Sequence, residues 1–155
     1  MKQLTILLLV KDDQVLLAMK KRGFGAGRYN GVGGKLEPSE TPEQAAVREC
    51  QEEIGVTPTR FHKVAEINFD EQHQGVREQL LVHVFLCSAW KGEPIETEEM
   101  APEWFTQTAI PYDQMWADDP HWLPQVLAGK LLKCSFVLGD QDQVIEHHVE
   151  AVPEL

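Results

Sequence analysis

The sequence predicts an α/β/α sandwich built on a mixed β-sheet, and three observations carry that expectation. Runs rich in aliphatic and aromatic residues recur between turn signals at 5–10, 15–19, 61–69 and 79–89, which is strand patterning. A stretch with both start and stop signals of a helix, 42–54, lies between the second run and the third. An aromatic, proline-punctuated region at 111–128 precedes an alternating tail. No repeat, low-complexity segment or long linker divides the 155 residues, of which 43% are hydrophobic, so a single domain over 1–155 is expected.

The first run follows Lys2 and superficially resembles a secretion signal, but Lys11, Asp12 and Asp13 interrupt it without a small-residue cleavage site. It is read as a buried strand. The second strand, 15–19, leads into a glycine-rich connection, Gly23-Phe24-Gly25-Ala26-Gly27. Small residues there would let backbone amides approach an anion, yet the segment matches neither the Walker lysine pattern nor the dinucleotide fingerprint. The helix comes next. Thr41 and Gln44 form a capping box, Pro42 stands at the first helical position, and Gly55 supplies the permissive backbone that ends it. Ala46, Cys50 and Ile54 make one stripe for packing, while Glu49, Glu52 and Glu53 lie together on another.

Like charges that close destabilise a helix by a few tenths of a kcal/mol per pair, roughly, so a counter-charge is expected. Oxygen-only ligands favour magnesium or manganese over zinc. Taken alone, three glutamates at this spacing equally describe a solvated acidic helix face. Beyond the strands at 61–69 and 79–89, a short strand includes Trp104 and Phe105, and a helix is expected at 120–128 before Gly129. In the tail Leu132, Cys134, Phe136 and Leu138 share one face of a strand, and Gly139-Asp140-Gln141-Asp142 turns into a return strand.

The residues 34–56, GKLEPSETPEQAAVRECQEEIGV, follow a longer pattern: glycine, five residues, Glu40, seven residues, then Arg48-Glu49-apolar-x-Glu52-Glu53-x-Gly55-apolar. All nine defined positions are met, with Cys50 and Val56 as the apolar ones. This resembles the Nudix box of the Nudix hydrolases. The resemblance implies the Nudix fold, the same α/β/α sandwich with a mixed sheet, holding magnesium, or manganese, against a nucleotide diphosphate. It implies Glu49, Glu52, Glu53 and the carbonyl of Gly34 as metal ligands. Arg48 would orient those carboxylates through charge-assisted hydrogen bonds. Glu99, in its Glu-Met motif, would be a further ligand or base; the proton acceptor is Glu53 or Glu99.

The segments 19–35, MKKRGFGAGRYNGVGGK, and 99–119, with EM, P-x-WF, IPY and MWADD, resemble the branch of that family that hydrolyses oxidised purine nucleoside triphosphates. The implied substrates are 8-oxo-dGTP and 2-hydroxy-dATP, cleaved to monophosphate and pyrophosphate, which removes damaged nucleotides from the pool. By the same resemblance Thr5, Lys20, Phe24, Asn30, Phe69, Trp116, Asp118 and Asp119 hold the nucleotide, and the glycine-rich loop becomes a mobile pocket wall. Trp116 would stack while the two carboxyls and the amide read the purine edge. Two adjacent aspartates in an apolar pocket repel as anions, so one should be protonated near neutral pH. On those residues alone, a packed tryptophan and two helix-capping aspartates is the plainer account. Lys21 and Arg22 read as a solvated loop. The chain departs from the branch at Tyr29, where it has tryptophan, at Ala117, where it has proline, and over 70–79.

A formal charge of −11 disfavours nucleic-acid polymers as partners and leaves free nucleotides. Cys50, Cys87 and Cys134 fit neither a disulfide framework nor a zinc spacing, so a reducing, cytoplasmic setting is expected. The expected particle is a monomer without membrane contact. His147 and His148 alternate on a strand as surface residues, and no serine or cysteine carries a nucleophile motif. Other Nudix activities, on ADP-ribose or dinucleotide polyphosphates, and a non-catalytic nucleotide-sensing domain are the alternatives.

Overall fold

The structure, a computed structural model, describes residues 1–73 and 75–155. The poorly matching stretch 70–79 thus includes one position, 74, outside the described residues. The elements run β1 (Lys2–Lys11), β2 (Gln14–Lys20), β3 (Tyr29–Asn30), α1 (Pro42–Ile54), β4 (Thr57–His73), β5 (Val76–Lys91), β6 (Met100–Thr106), α2 (Asp119–Leu127), β7 (Leu131–Leu138) and β8 (Val144–Val152). Among the described residues the strands order as β3-β2-β1-β5-β4-β7-β8, with β6 on the other side of β2. The sheet is mixed because β1 runs parallel to β5 and β4 to β7, whereas β4–β5, β7–β8 and β2–β6 are antiparallel.

A layer of helix on each face explains the apolar run of β1. Leu7 and Leu9 pack with Ala46, Cys50 and Ile54 of α1. Leu8, between them, packs in the opposite cluster with Trp122, Leu123 and Val126 of α2. All three leucines are almost fully buried, so the strand reads as a continuous apolar stretch rather than an alternation. Burial of each such side chain contributes about 1.5–3 kcal/mol.

The predicted elements are present, with longer strands and one addition. β4 and β5 extend past 61–69 and 79–89 because ladder pairing from Thr57↔Lys91 to His73↔Val76 holds ends too polar to register as strand. β3 lies where the sequence shows only a glycine-rich connection; Tyr29 and Asn30 pair with Met19 and Ala18.

The feature that positions the site is the parting of β1 from β2. The two pair only at their hairpin, Val10↔Val15 and Lys11↔Gln14. Segment 31–36 fills the wedge: the Leu7 amide donates to the Val32 carbonyl at 2.7 Å, Thr5 to Gly34 at 2.9 Å and Leu36 to Gln3 at 3.1 Å. The approach is so close that a Cβ on Gly33 would stand 1.8 Å from the Thr5 carbonyl oxygen. From there the chain enters α1. No helix among the described residues is long and apolar enough to cross a membrane.

Candidate active site

The start of α1 is fixed by reciprocal caps: the Gln44 amide donates to Thr41 Oγ1 at 3.1 Å and the Thr41 amide to Gln44 Oε1 at 2.9 Å. Its end is fixed by Gly55, left-handed at φ 71°. Between them Arg48 is the organising cation. Its Nε and Nη2 grip both oxygens of Glu40 at 2.7 and 2.9 Å, Nη1 reaches Glu49 at 2.9 Å and Glu52 at 3.3 Å, and Nη2 also donates to the Lys35 carbonyl at 3.0 Å. The Glu40 amide donates to the Glu37 carbonyl and the Glu37 amide to the Glu40 carboxylate. The bidentate guanidinium pulls the Glu40 carboxyl down to about 2.

The three glutamates on the helix face differ sharply. Glu52 is exposed. Glu49 lies against Gly34, where a Cβ would come within 2.6 Å of its Oε1. Glu53 is drawn inward: the Gly33 amide donates to it, it hydrogen-bonds Glu49, and its Oε2 is cut off from solvent without a partner. Desolvation, then the neighbouring Glu49 charge, pushes the Glu53 carboxyl up to about 8. Glu52 turns to Arg48, and among the described residues no three Asp, Glu, His or Cys side chains close a cage around an ion by themselves. The donor chemistry nonetheless fits a hard cation: carboxylates, one buried oxygen lacking any donor, and the Gly34 carbonyl, which accepts Thr5 on one lone pair and has a second. Glu99 is brought near by Thr97, whose hydroxyl donates to the Glu53 carbonyl at 2.9 Å, but its carboxylate is taken by Arg22 Nε at 2.8 Å. Lys21 and Arg22 are exposed, as a solvated loop requires, and within it they pair with Glu96, Glu98 and Glu99.

Two adjoining cavities lie over this face. The inner one, about 210 Å³, is walled by Leu4, Ile6, Leu80, Val82 and Leu138 and holds Asp118 and Asp119 at one side. The outer one, about 820 Å³, reaches Glu49, Glu52, Glu53, Lys20 and Glu99. Phe24, Asn30, Gly33, Gly34 and Trp116 border both. Thr5, 2% exposed, lines the inner cavity with a hydroxyl that has no partner, and Phe69 stacks on Phe136 at 5.6 Å. The Asn30 Oδ1 accepts from the Gly31 amide at 2.8 Å.

Asp118 and Asp119 are buried and do not cap α2 with their side chains. The Trp122 indole donates to Asp118 at 2.9 Å and the Trp116 amide donates to Asp119 at 3.1 Å. Desolvation pushes Asp118 up to about 6 despite the Trp122 hydrogen bond, and desolvation with the Asp118 charge pushes Asp119 well up. Carboxyls raised in this way stabilise the fold fully below the ordinary carboxyl range and lose that contribution as pH climbs through their folded values. The contribution of this pair to native stability should therefore fall as pH rises from the ordinary carboxyl range through the raised folded values. Asp118→Asn should flatten that slope in urea unfolding at pH 5 and pH 8; an unchanged slope would place its origin elsewhere.

Of the residues expected from sequence, Arg48, Glu49, Glu52, Glu53, Gly34, Lys20 and Glu99 border the outer cavity or support it, and Thr5, Phe24, Asn30, Phe69, Trp116, Asp118 and Asp119 border the inner one. Sequence reasoning missed the Gly33 amide on Glu53, Arg22 on Glu99, and Arg28, whose guanidinium lies 4.1 Å from the centre of the Trp116 ring. It also missed Glu71, which borders both cavities. The alternation of β4 places Glu71 two residues past Phe69 on the same face, and that was the available signal. At the departure Tyr29 the hydroxyl donates to Glu103 at 2.7 Å.

A NUDIX domain sequence profile matches residues 1–126. The chain is 46% identical over 154 residues to the oxidized purine nucleoside triphosphate hydrolase of Danio rerio, covering 99% of this chain and 97% of the relative. It is 42% identical over 148 residues to the protein of the same name from Mus musculus, covering 96% and 94%. A MutT protein crystal structure from Bacillus halodurans superposes with a TM-score of 0.84 over 97% of this chain and 98% of that one; at 23% identity it speaks for the fold alone.

Proposed function

Because the chain belongs to the Nudix family and is a Nudix hydrolase, we propose that it hydrolyses oxidised purine nucleoside triphosphates, 8-oxo-dGTP and 2-hydroxy-dATP, to the monophosphate and pyrophosphate. The observation that carries this reading is the junction of the two cavities. An apolar slot with two buried carboxyls opens directly onto the glutamates of α1. The purine occupies the inner cavity, with Trp116 as stacking surface. Asn30, Thr5 and the aspartate pair face its edge, and a proton held by one aspartate lets the pair present a donor as well as an acceptor. Moving that proton between Asp118 and Asp119 accommodates both an oxidised guanine and an oxidised adenine. The phosphates extend past Gly33 and Gly34 toward Lys20 and the glutamates.

Nudix hydrolases use divalent metals, and here magnesium, with manganese as substitute, would be held by Glu49, Glu52, Glu53 and the Gly34 carbonyl, with Glu99 as a further donor. Magnesium takes few protein carboxylates and completes its shell with water and substrate phosphates. Bound there, it neutralises phosphate charge and eases deprotonation of water. Water adds across the bridge between α- and β-phosphates; its oxygen joins phosphorus, the bridging bond breaks, and pyrophosphate leaves. Glu53 is the better placed proton acceptor, since its free oxygen is buried in the site while Arg22 occupies Glu99. Arg48 positions Glu49 and Glu52 and does not touch substrate. We read residues 1–155 as one domain because β7 and β8, beyond the matched profile, hydrogen-bond into the same sheet as β4.

A panel of oxidised and unmodified purine nucleoside triphosphates, ADP-ribose and dinucleotide polyphosphates, scored with magnesium for phosphate products, tests the reading. Fastest pyrophosphate release from an oxidised purine triphosphate is expected. Preference for ADP-ribose or a dinucleotide polyphosphate would reassign the substrate, and no turnover of any would leave a binding domain. Within that panel Asn30→Ala should cost oxidised purines about 0.5–1.5 kcal/mol, roughly two- to tenfold, more than their unmodified counterparts. Equal slowing of every nucleotide would instead report a defect at the metal or in the fold.

A further inference from the structure

The basic residues at 20–28 do not share one fate. Lys21 donates to the Thr97 carbonyl at 2.9 Å and pairs with Glu96; Arg22 is claimed by Glu98 and Glu99. Across the outer cavity Lys2 pairs with Glu78 at 3.0 Å. Arg28 differs from all three. Among the described residues its guanidinium has no carboxylate within ion-pair distance, and it rests instead on the Trp116 ring, 4.1 Å from the centroid.

The loop around it holds this placement. The Arg28 amide donates to the Gly25 carbonyl at 3.1 Å, the Arg28 carbonyl accepts from Lys20 at 3.1 Å, and Gly27 donates to the Lys20 carbonyl at 2.8 Å. Gly25 presses on the same indole, since a Cβ there would lie 3.1 Å from it, and the Phe24 ring tilts against it at 5.4 Å. A guanidinium on an aromatic face spends its flat side on the ring and keeps its in-plane N–H donors for another partner. Trp116 borders both cavities, but Arg28 borders only the outer one, with Glu49, Glu52 and Glu53. The stacked cation therefore stands on the phosphate side of the tryptophan and not on the purine side.

We propose that Arg28, pre-positioned by stacking on Trp116, is a binding residue for the terminal phosphates of the nucleoside triphosphate. The inference rests on the nucleotide orientation of the preceding subsection, with base in the inner cavity and phosphates in the outer. The outer cavity is rich in carboxylates, so a polyphosphate entering it needs cations that are not already neutralised. Arg28 meets that need in a geometry suited to bidentate contact with phosphate oxygens. It also gives Trp116 two tasks, stacking on the base and holding the cation that engages the far end of the same substrate.

The test compares binding of the 8-oxo-dGuanosine monophosphate with that of the triphosphate analogue bearing a methylene bridge between α- and β-phosphates, by calorimetry with magnesium present. Arg28→Ala should weaken the triphosphate analogue by about ten- to a hundredfold, the scale of hydrogen bonds to charged groups. The monophosphate should change by less than about twofold, and Arg28→Lys should fall between, because it keeps the charge and loses the flat stack. In turnover the loss should appear in KM more than in kcat. Equal weakening of both ligands by Arg28→Ala would overturn the proposal and leave Arg28 as a prop for Trp116. Loss from neither would overturn it as well. If the native protein prefers another nucleotide in the substrate panel, the reading of the base fails separately, and the same pair of mono- and polyphosphate forms of that nucleotide tests Arg28.

Discussion

Glu53→Gln should cut turnover by at least about a hundredfold, the usual scale for losing a positioned acid–base group, while the fold and most nucleotide binding survive. The substitution is nearly isosteric, and the glutamine oxygen can still accept from the Gly33 amide that now bonds the carboxyl. What disappears is the ability to take a proton and to bear the negative charge that a cation requires. Because burial and the Glu49 charge hold the Glu53 carboxyl up at about 8, it takes up a proton on folding at neutral pH; glutamine needs none, so thermal stability near neutral pH should rise slightly rather than fall. Single-turnover rates beside unfolding midpoints check both halves. Near-normal turnover at saturating magnesium would remove Glu53 from the chemistry and turn attention to Glu99.

The second large effect is expected at Gly33, through packing rather than chemistry. An alanine Cβ there would sit 1.8 Å from the Thr5 carbonyl oxygen and 2.6 Å from its carbon. Both atoms are backbone in β1, a strand buried on both faces, so no flexible side chain can give way. Gly33 does not have a left-handed backbone, which leaves overlap as the whole cause. Forcing segment 31–36 off β1 would strain the bonds Leu7–Val32 and Thr5–Gly34, and the cost should reach about 3 kcal/mol, the upper end of ordinary overpacking. It would also displace the amide that serves Glu53 and the carbonyl of Gly34, so any Gly33→Ala protein that folds should lose activity out of proportion to its stability. Urea unfolding and magnesium-dependent turnover, measured on the same preparation, test the pair. An unmoved midpoint would mean that the wedge between β1 and β2 is looser than its hydrogen bonds indicate.

Both expectations start from the same loop and helix, but they differ in how far the sequence reveals them. The box helix was legible because its signals are local. Thr41, Pro42, Gln44 and Gly55 act within a turn of their own position, and the stripe of Ala46, Cys50 and Ile54 follows helical period. The apolar core of each strand was legible for the same reason, while the polar ends of β4 and β5 were not, since only pairing with a neighbour makes them strand. Tyr29 and Asn30 became β3 through pairing with Met19 and Ala18 of β2.

The sequence by itself determined the class of fold, the helix that carries Arg48 and the glutamates, and a formal charge of −11. It could not rank the three glutamates, which are equivalent in spacing. Tertiary structure decided that Glu53 is desolvated, that Glu52 is exposed and that Arg22 holds Glu99, because burial and ion pairing depend on groups brought from far along the chain. It decided likewise that Leu4, Ile6, Leu80, Val82 and Leu138, which belong to the core or pack against it, also wall a cavity, and that Arg28 lies on Trp116. Hydrophobic patterning tells which side of a strand leaves water; whether that side meets a neighbour or a space is set only when β1, β4, β5, β7 and α2 are assembled.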